Sequence, residues 1–170
     1  MIIKVIGAIM VIVGCGSVGF LIAAAHRTEV KTAQQLIWAL EFLSCELKCR
    51  LIPLPELCRK TAAASTGTIK IVFNGLAHEM EKQISPNTEK CMQSVLENNQ
   101  QIPSITRNGL ELLGRSIGKF DVDGQLEGIE TVCIEVKRNL QSFTKNQEVK
   151  LRSYQTLGLC AGAAIAILFL

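Results

Sequence analysis

Every charged residue of the chain except Lys4 lies between Arg27 and Arg152. Outside that interval stand two apolar runs, one at each end, and they limit what the chain can become. Residues 5–25 are about twenty uncharged residues, enough to cross the hydrocarbon core of a bilayer as an α-helix. Residues 154–170 form a second run, at the lower edge of a spanning length. The chain therefore divides into an N-terminal transmembrane anchor (1–26), a soluble part (27–153) and a C-terminal membrane segment (154–170).

The first run contains two motifs that its setting argues against. Gly14-Cys15-Gly16-Ser17-Val18-Gly19 fits the dinucleotide fingerprint, but that fingerprint needs a preceding strand and a following soluble helix. Ile12-Val13-Gly14-Cys15 resembles a lipoprotein cleavage box, which would leave Cys15 lipidated. The residues after Cys15 stay apolar, and one Lys is a weak basic start for a signal peptide. An uncleaved anchor is the better reading; a lipoprotein-like extracytoplasmic binding module lipidated at Cys15 is the alternative.

Between the runs the periodicity is helical throughout. Leu126, Ile129, Cys133, Val136, Leu140 and Phe143 recur at 3,4,3,4,3 spacing and share one stripe. No Pro interrupts the path from Asp123 to Leu170, so the last helix should run unbroken into the membrane segment. Ala33, Leu36, Leu40, Leu43, Leu47 and Leu51 define a first soluble helix beyond the exit at residues 26–29. Pro53 and Pro55 end it, because each lacks an amide donor and disfavours helix before itself. A short helix follows to Ala64, with Leu57 and Cys58 turned inward and Gly67 as its left-handed cap. Ile69, Phe73, Leu76, Met80 and Ile84 mark a third helix, and Ser85-Pro86 the start of a fourth. Residues 98–101 read as a loop. A fifth helix from Pro103-Ser104 carries Leu110, Leu113, Ile117 and Phe120, and either Asp121 or Asp123 can cap the last. The fold class is all-α, a compact antiparallel bundle of about six helices flanked by two membrane segments.

Charge and chemistry narrow the function. Setting Lys4 apart from the 18 basic residues leaves 17, against 15 acidic ones, which is not the clustered excess that nucleic acid requires. Seven Cys with no paired framework read as reduced thiols that pack as small hydrophobes. Cys45 and Cys49 could share a helix face, without the further ligands a metal needs. His78 stands among charged residues on a helix, with no nucleophile motif beside it, and no phosphate-binding loop is present. Neither an enzyme, a cofactor, a metal nor a small-molecule substrate is expected.

The cations favour one orientation. Arg27 and Lys31 follow the first run, and Lys145, Lys150 and Arg152 precede the second, which places the bundle in the cytoplasm. Gly158, Gly162 and Ala166 form a series of small residues that lets another membrane helix approach, the first run being the nearest candidate.

The order of parts, with Ile52-Pro53-Leu54-Pro55-Glu56-Leu57 after the first soluble helix and Ile117-Gly118-Lys119-Phe120-Asp121 followed by Gln125 and Ile129, resembles the stage III sporulation protein AB family. That family commonly reads T-P-L-P-E-A-L and L-G-x-S-D-x-x-x-Q-x-x-x-I at these places; this chain departs at Ile52, Cys58, Ile117 and Phe120. The resemblance implies a place in the channel between mother cell and forespore, on the mother-cell side of the outer forespore membrane. It also implies a fold similar to the cytoplasmic domains of type II secretion and type IV pilus F-type platform proteins. The partners it implies are other channel proteins and a hexameric ATPase, stage III sporulation protein AA. The residues expected to matter are Pro53, Leu54, Pro55, Glu56 and Leu57 at one corner, and Gly118, Asp121, Gln125 and Ile129 at one turn. They would set helix angles, border a docking surface, or do both. A pilus or type II secretion platform protein is the neighbouring alternative, though such proteins usually carry two related soluble domains.

Overall fold

The structure, a computed structural model, describes the backbone of residues 2–50, 52–82, 87–118 and 121–169, and the side chains of 25–49, 52–82, 87–118 and 121–146. Among the described residues six helices follow in order: α1 (Ile2–Arg50), α2 (Leu54–Ala64), α3 (Gly67–Glu81), α4 (Thr88–Glu97), α5 (Ser104–Ser116) and α6 (Val122–Phe169). Among the described residues there is no strand. The sequence separates an anchor from a first bundle helix at residues 26–29, whereas α1 runs through that point without a break. Nothing there stops a helix: residues 26–29 hold neither Pro nor Gly. The continuity expected of the last helix is present in α6.

The helix ends show why the chain turns where it does. Pro53 stands at the N-cap of α2 with Pro55 inside the first turn, where the missing amides have no partner to lose. The first bond of that helix runs from the Leu57 amide to the Pro53 carbonyl, 3.0 Å. Gly67 has the expected left-handed backbone (φ +58°), but it opens α3; α2 is closed by Ser65 in an extended conformation. Ser85 and Pro86 lie outside the described residues, and the described part of α4 begins after Asn87, whose side-chain oxygen accepts from the Lys90 amide at 3.2 Å. Asp121 is the aspartate that caps α6, accepting from the Gly124 amide at 3.2 Å.

The cap of α5 comes from elsewhere in the chain. Pro103 offers no side-chain cap, and Glu29 of α1 supplies one instead. Its carboxylate accepts from the Ile105 amide at 2.7 Å and from the Ser104 hydroxyl at 3.2 Å. A negative charge at a helix N-terminus also meets the positive end of the helix dipole.

α1 is the hub, touching α2, α3, α5 and α6. Pairings of residues show that sequential helices run antiparallel. Arg115 of α5 meets Glu89 of α4 at 3.2 Å while Arg107 and Glu97 border the other end of the same groove. Gly109 of α5 abuts Val136 of α6, and Gly128 of α6 abuts Ser116 of α5. α1 and α6 also oppose each other: Lys137 donates to Glu41 at 2.7 Å, and His26 packs on Phe143 with ring centroids 4.9 Å apart. At Gly109 the backbone of α5 comes so close to α1 and α6 that a β-carbon would stand 2.5 Å from Val136 and 2.9 Å from Leu36.

The core is continuous. Leu36, Leu40 and Leu43 meet Leu57, Ile69, Phe73, Leu76, Leu110, Leu113 and Ile117, all fully buried. Each such side chain contributes about 1.5–3 kcal/mol by leaving water. Among the described residues no helix is long and apolar enough to cross a membrane. The expected membrane runs at 5–25 and 154–170, with Cys15, Gly158, Gly162 and Ala166, lie outside the residues whose side chains are described.

Candidate docking surfaces

The two motifs singled out in the sequence meet in space. Gly118, two residues past the end of α5, has a left-handed backbone (φ +86°), and a β-carbon there would overlap the hydroxyl of Thr88, the first residue of α4. The same carbon would touch Leu54, the first residue of α2, at 3.7 Å. The corner after α1 and the turn before α6 therefore close around one point. Glycine is required there both for its conformation and for lack of space.

The nine residues divide by burial. Leu57 and Ile129 belong to the core and are out of reach of a partner. Leu54, Pro55 and Gln125 are half-buried, while Pro53, Glu56, Gly118 and Asp121 are exposed. Around them this end shows a mixed surface, with half-buried Ile52, Leu54, Val122 and Leu126 beside exposed Glu56, Asp121, Asp123 and Glu127.

The bundle is polar end to end. Ala25–Glu29 of α1 and residues 143–146 of α6 lie together at one end, held by the His26–Phe143 contact. The Leu54–Gly118–Thr88 junction lies at the other, where α1 finishes and α6 begins.

Grooves open on the sides, two of them lined by described residues. The larger, about 310 Å³, runs between α4 and α5 over Met92 and Leu96. Glu89, Gln93 and Glu97 face Arg107, Glu111 and Arg115 across it. Arg115 pairs with Glu89 at 3.2 Å, and Arg107 with Glu111 at 3.5 Å. Those pairs compensate each other's charge, so the groove works as a seam between two helices. The smaller groove, about 210 Å³, lies beside Trp38 and is lined by Gln35, Ala64, Ser65 and Thr66.

The described cysteines are free thiols. Cys58, Cys91 and Cys133 are buried, as small hydrophobes should be, and burial pushes the Cys58 thiol up to about 12. A thiol held protonated in the core is no nucleophile. Cys45 and Cys49 depart from the packing expectation, since both are exposed. They continue an outward stripe that begins at Trp38 and Phe42, which the periodicity hides because the buried stripe of α1 dominates it. Among the described residues no group of three His, Cys, Asp or Glu side chains gathers as metal ligands.

Comparison with known proteins now bears on this geometry. No curated protein matches the chain. A solved structure of a stage III sporulation protein AB superposes with a TM-score of 0.62 at 18% identity, covering 72% of this chain and 98% of that one. At that identity the likeness speaks for the fold. The sequence model of the family named stage III sporulation protein AB matches residues 4–170. The chain belongs to the stage III sporulation protein AB family.

Proposed function

We propose that the protein is a non-enzymatic, membrane-anchored platform of the sporulation channel between mother cell and forespore. Residues 1–26 and 154–170 tether it to the outer forespore membrane, and the bundle of residues 27–153 faces the mother-cell cytoplasm. Its end remote from the tethers docks the hexameric ATPase, stage III sporulation protein AA. The observation that carries this reading is the polarity of the bundle. The chain passes toward both apolar runs at the His26–Phe143 end, and the two motif segments converge at the opposite end, around Gly118. A bundle fixed at one end and engaged at the other transmits position or force from a soluble motor to a membrane assembly. Stiffness suits that task, and α1 and α6, which pack on each other, are single helices along their whole described length.

Co-purification of the full chain with stage III sporulation protein AA tests the docking. The platform reading expects a complex that survives purification and is lost when Asp123 and Glu127 are both changed to Arg. No binding at high micromolar concentration would sink it. The tethering is tested separately: a reporter active only outside the cytoplasm, fused after Leu170, should be active, and one inserted near Asn99 should be silent. The reverse pattern would invert the topology.

A further inference from the structure

α1 is apolar on two faces. The inner face carries Leu36, Leu40, Leu43 and Leu47 into the core. On the outer face Trp38, Phe42, Cys45 and Cys49 recur at 4,3,4 spacing, which is again one helical stripe. Trp38 is 48% exposed, Phe42 is half-buried, and both cysteines are exposed. The stripe lies between two borders. On one side Glu41 binds Lys137 of α6; on the other Gln35 donates to the Thr66 hydroxyl at 3.0 Å, at the α2–α3 junction. Between those borders Trp38, Cys45 and Cys49 are exposed and Phe42 stays half-buried.

Three features mark this face as built for a partner. The Trp38 and Phe42 rings stack with centroids 5.6 Å apart and an interplanar angle of 17°, a flat aromatic plate on a helix surface. A large apolar ring left exposed, as Trp38 is, is unfavourable in water and typical of an interface anchor. Beside the plate lies the 210 Å³ groove, and Ser65, which lines it, is only 6% exposed with a hydroxyl that has no hydrogen-bond partner. A buried polar atom left unpaired costs free energy until something satisfies it.

Charge decides the occupant. Lys31 and Lys48 flank the stripe at its two ends, both exposed and neither in an ion pair among the described residues. The two carboxylates in between are both engaged, Glu41 by Lys137 and Glu46 by Lys60. A second copy packed parallel would bring each free lysine against its own equivalent. We propose that the outer face of α1 docks an amphipathic helix of another protein, whose apolar stripe covers Trp38, Phe42, Cys45 and Cys49 and whose flanking carboxylates meet Lys31 and Lys48. This is lateral binding, independent of the end-on docking around Gly118.

The full chain in lipid nanodiscs is titrated with two synthetic amphipathic peptides of about 18 residues, long enough to cover the stripe at 1.5 Å per residue. They share a leucine stripe and differ in having Glu or Lys flanks. Trp38 is the only tryptophan, so its fluorescence reports this face alone. The Glu-flanked peptide should shift that emission to the blue and slow alkylation of Cys45 and Cys49 about fivefold. The Lys-flanked peptide should bind roughly tenfold more weakly. A variant carrying Lys31→Glu and Lys48→Glu, both surface changes that leave the core untouched, should reverse the preference. Absence of binding by either peptide, or equal binding by both, overturns the proposal. Concentration-dependent self-association that joins Cys45 or Cys49 between copies under mild oxidant also overturns it, by making a second copy the occupant.

Discussion

Thr88 closes over Gly118, so that a side-chain carbon on the glycine would overlap the threonine hydroxyl. That contact ties the start of α4 to the end of α5, with Leu54 of α2 beside it. Gly118→Ala therefore carries two penalties, a left-handed backbone for a residue with a β-carbon and a collision with Thr88. Thermal or urea unfolding should show a loss of about 1–3 kcal/mol. Adding Thr88→Ala removes the collision and leaves the backbone strain, so the double variant should regain part of the loss. Strict additivity of the two changes would mean that the residues do not interact.

Glu29 links α1 to the first turn of α5 across 76 positions of sequence. Glu29→Ala leaves the Ile105 amide without its acceptor and should cost about 0.5–2 kcal/mol, the range for a lost N-cap. Hydrogen exchange should quicken first at the amides of residues 105–107. An unchanged exchange rate there would mean that water replaces the carboxylate without penalty.

Alkali should weaken the fold through its buried thiols. Burial raises Cys58 from the ordinary 9.0 to about 12, and raises Cys91 and Cys133 in the same direction. The unfolded chain gives up the Cys58 proton near pH 9, while the folded chain holds it until about pH 12. The stability from this group is thus complete below pH 9 and is lost as pH rises toward 12. Lys137, raised above its ordinary value by its hydrogen bond to Glu41, also contributes in a way that fades on the alkaline side. The melting temperature should fall between pH 9 and 11, and Cys58→Ala should make that fall shallower. An unchanged slope would assign the alkaline loss to other groups.

Much of this architecture is legible in the sequence because periodicity carries it. The stripes Leu36–Leu40–Leu43–Leu47 and Leu110–Leu113–Ile117 occupy the core as read, and the loop at residues 98–101 stands where polarity placed it. Gly118 is legible as a motif, but the reason for it is not: Thr88 lies thirty positions away and carries no local sign of the contact. Glu29 is hidden for the same reason. Its spacing makes it another polar residue of α1, and only the fold reveals the open helix end above it. The outer stripe of α1 was masked by the leucines of the inner face, since two apolar stripes on one helix blur each other's period.

The proposed platform has a tether end and a docking end. Hydrogen exchange of the full chain in nanodiscs, with and without stage III sporulation protein AA, tests it most directly. Added protection is expected at residues 52–57 and 118–127, around the Leu54–Gly118 junction, with residues 26–31 and 143–146 unchanged. Protection confined to the His26–Phe143 end, or none anywhere under conditions where the two proteins co-purify, would contradict it.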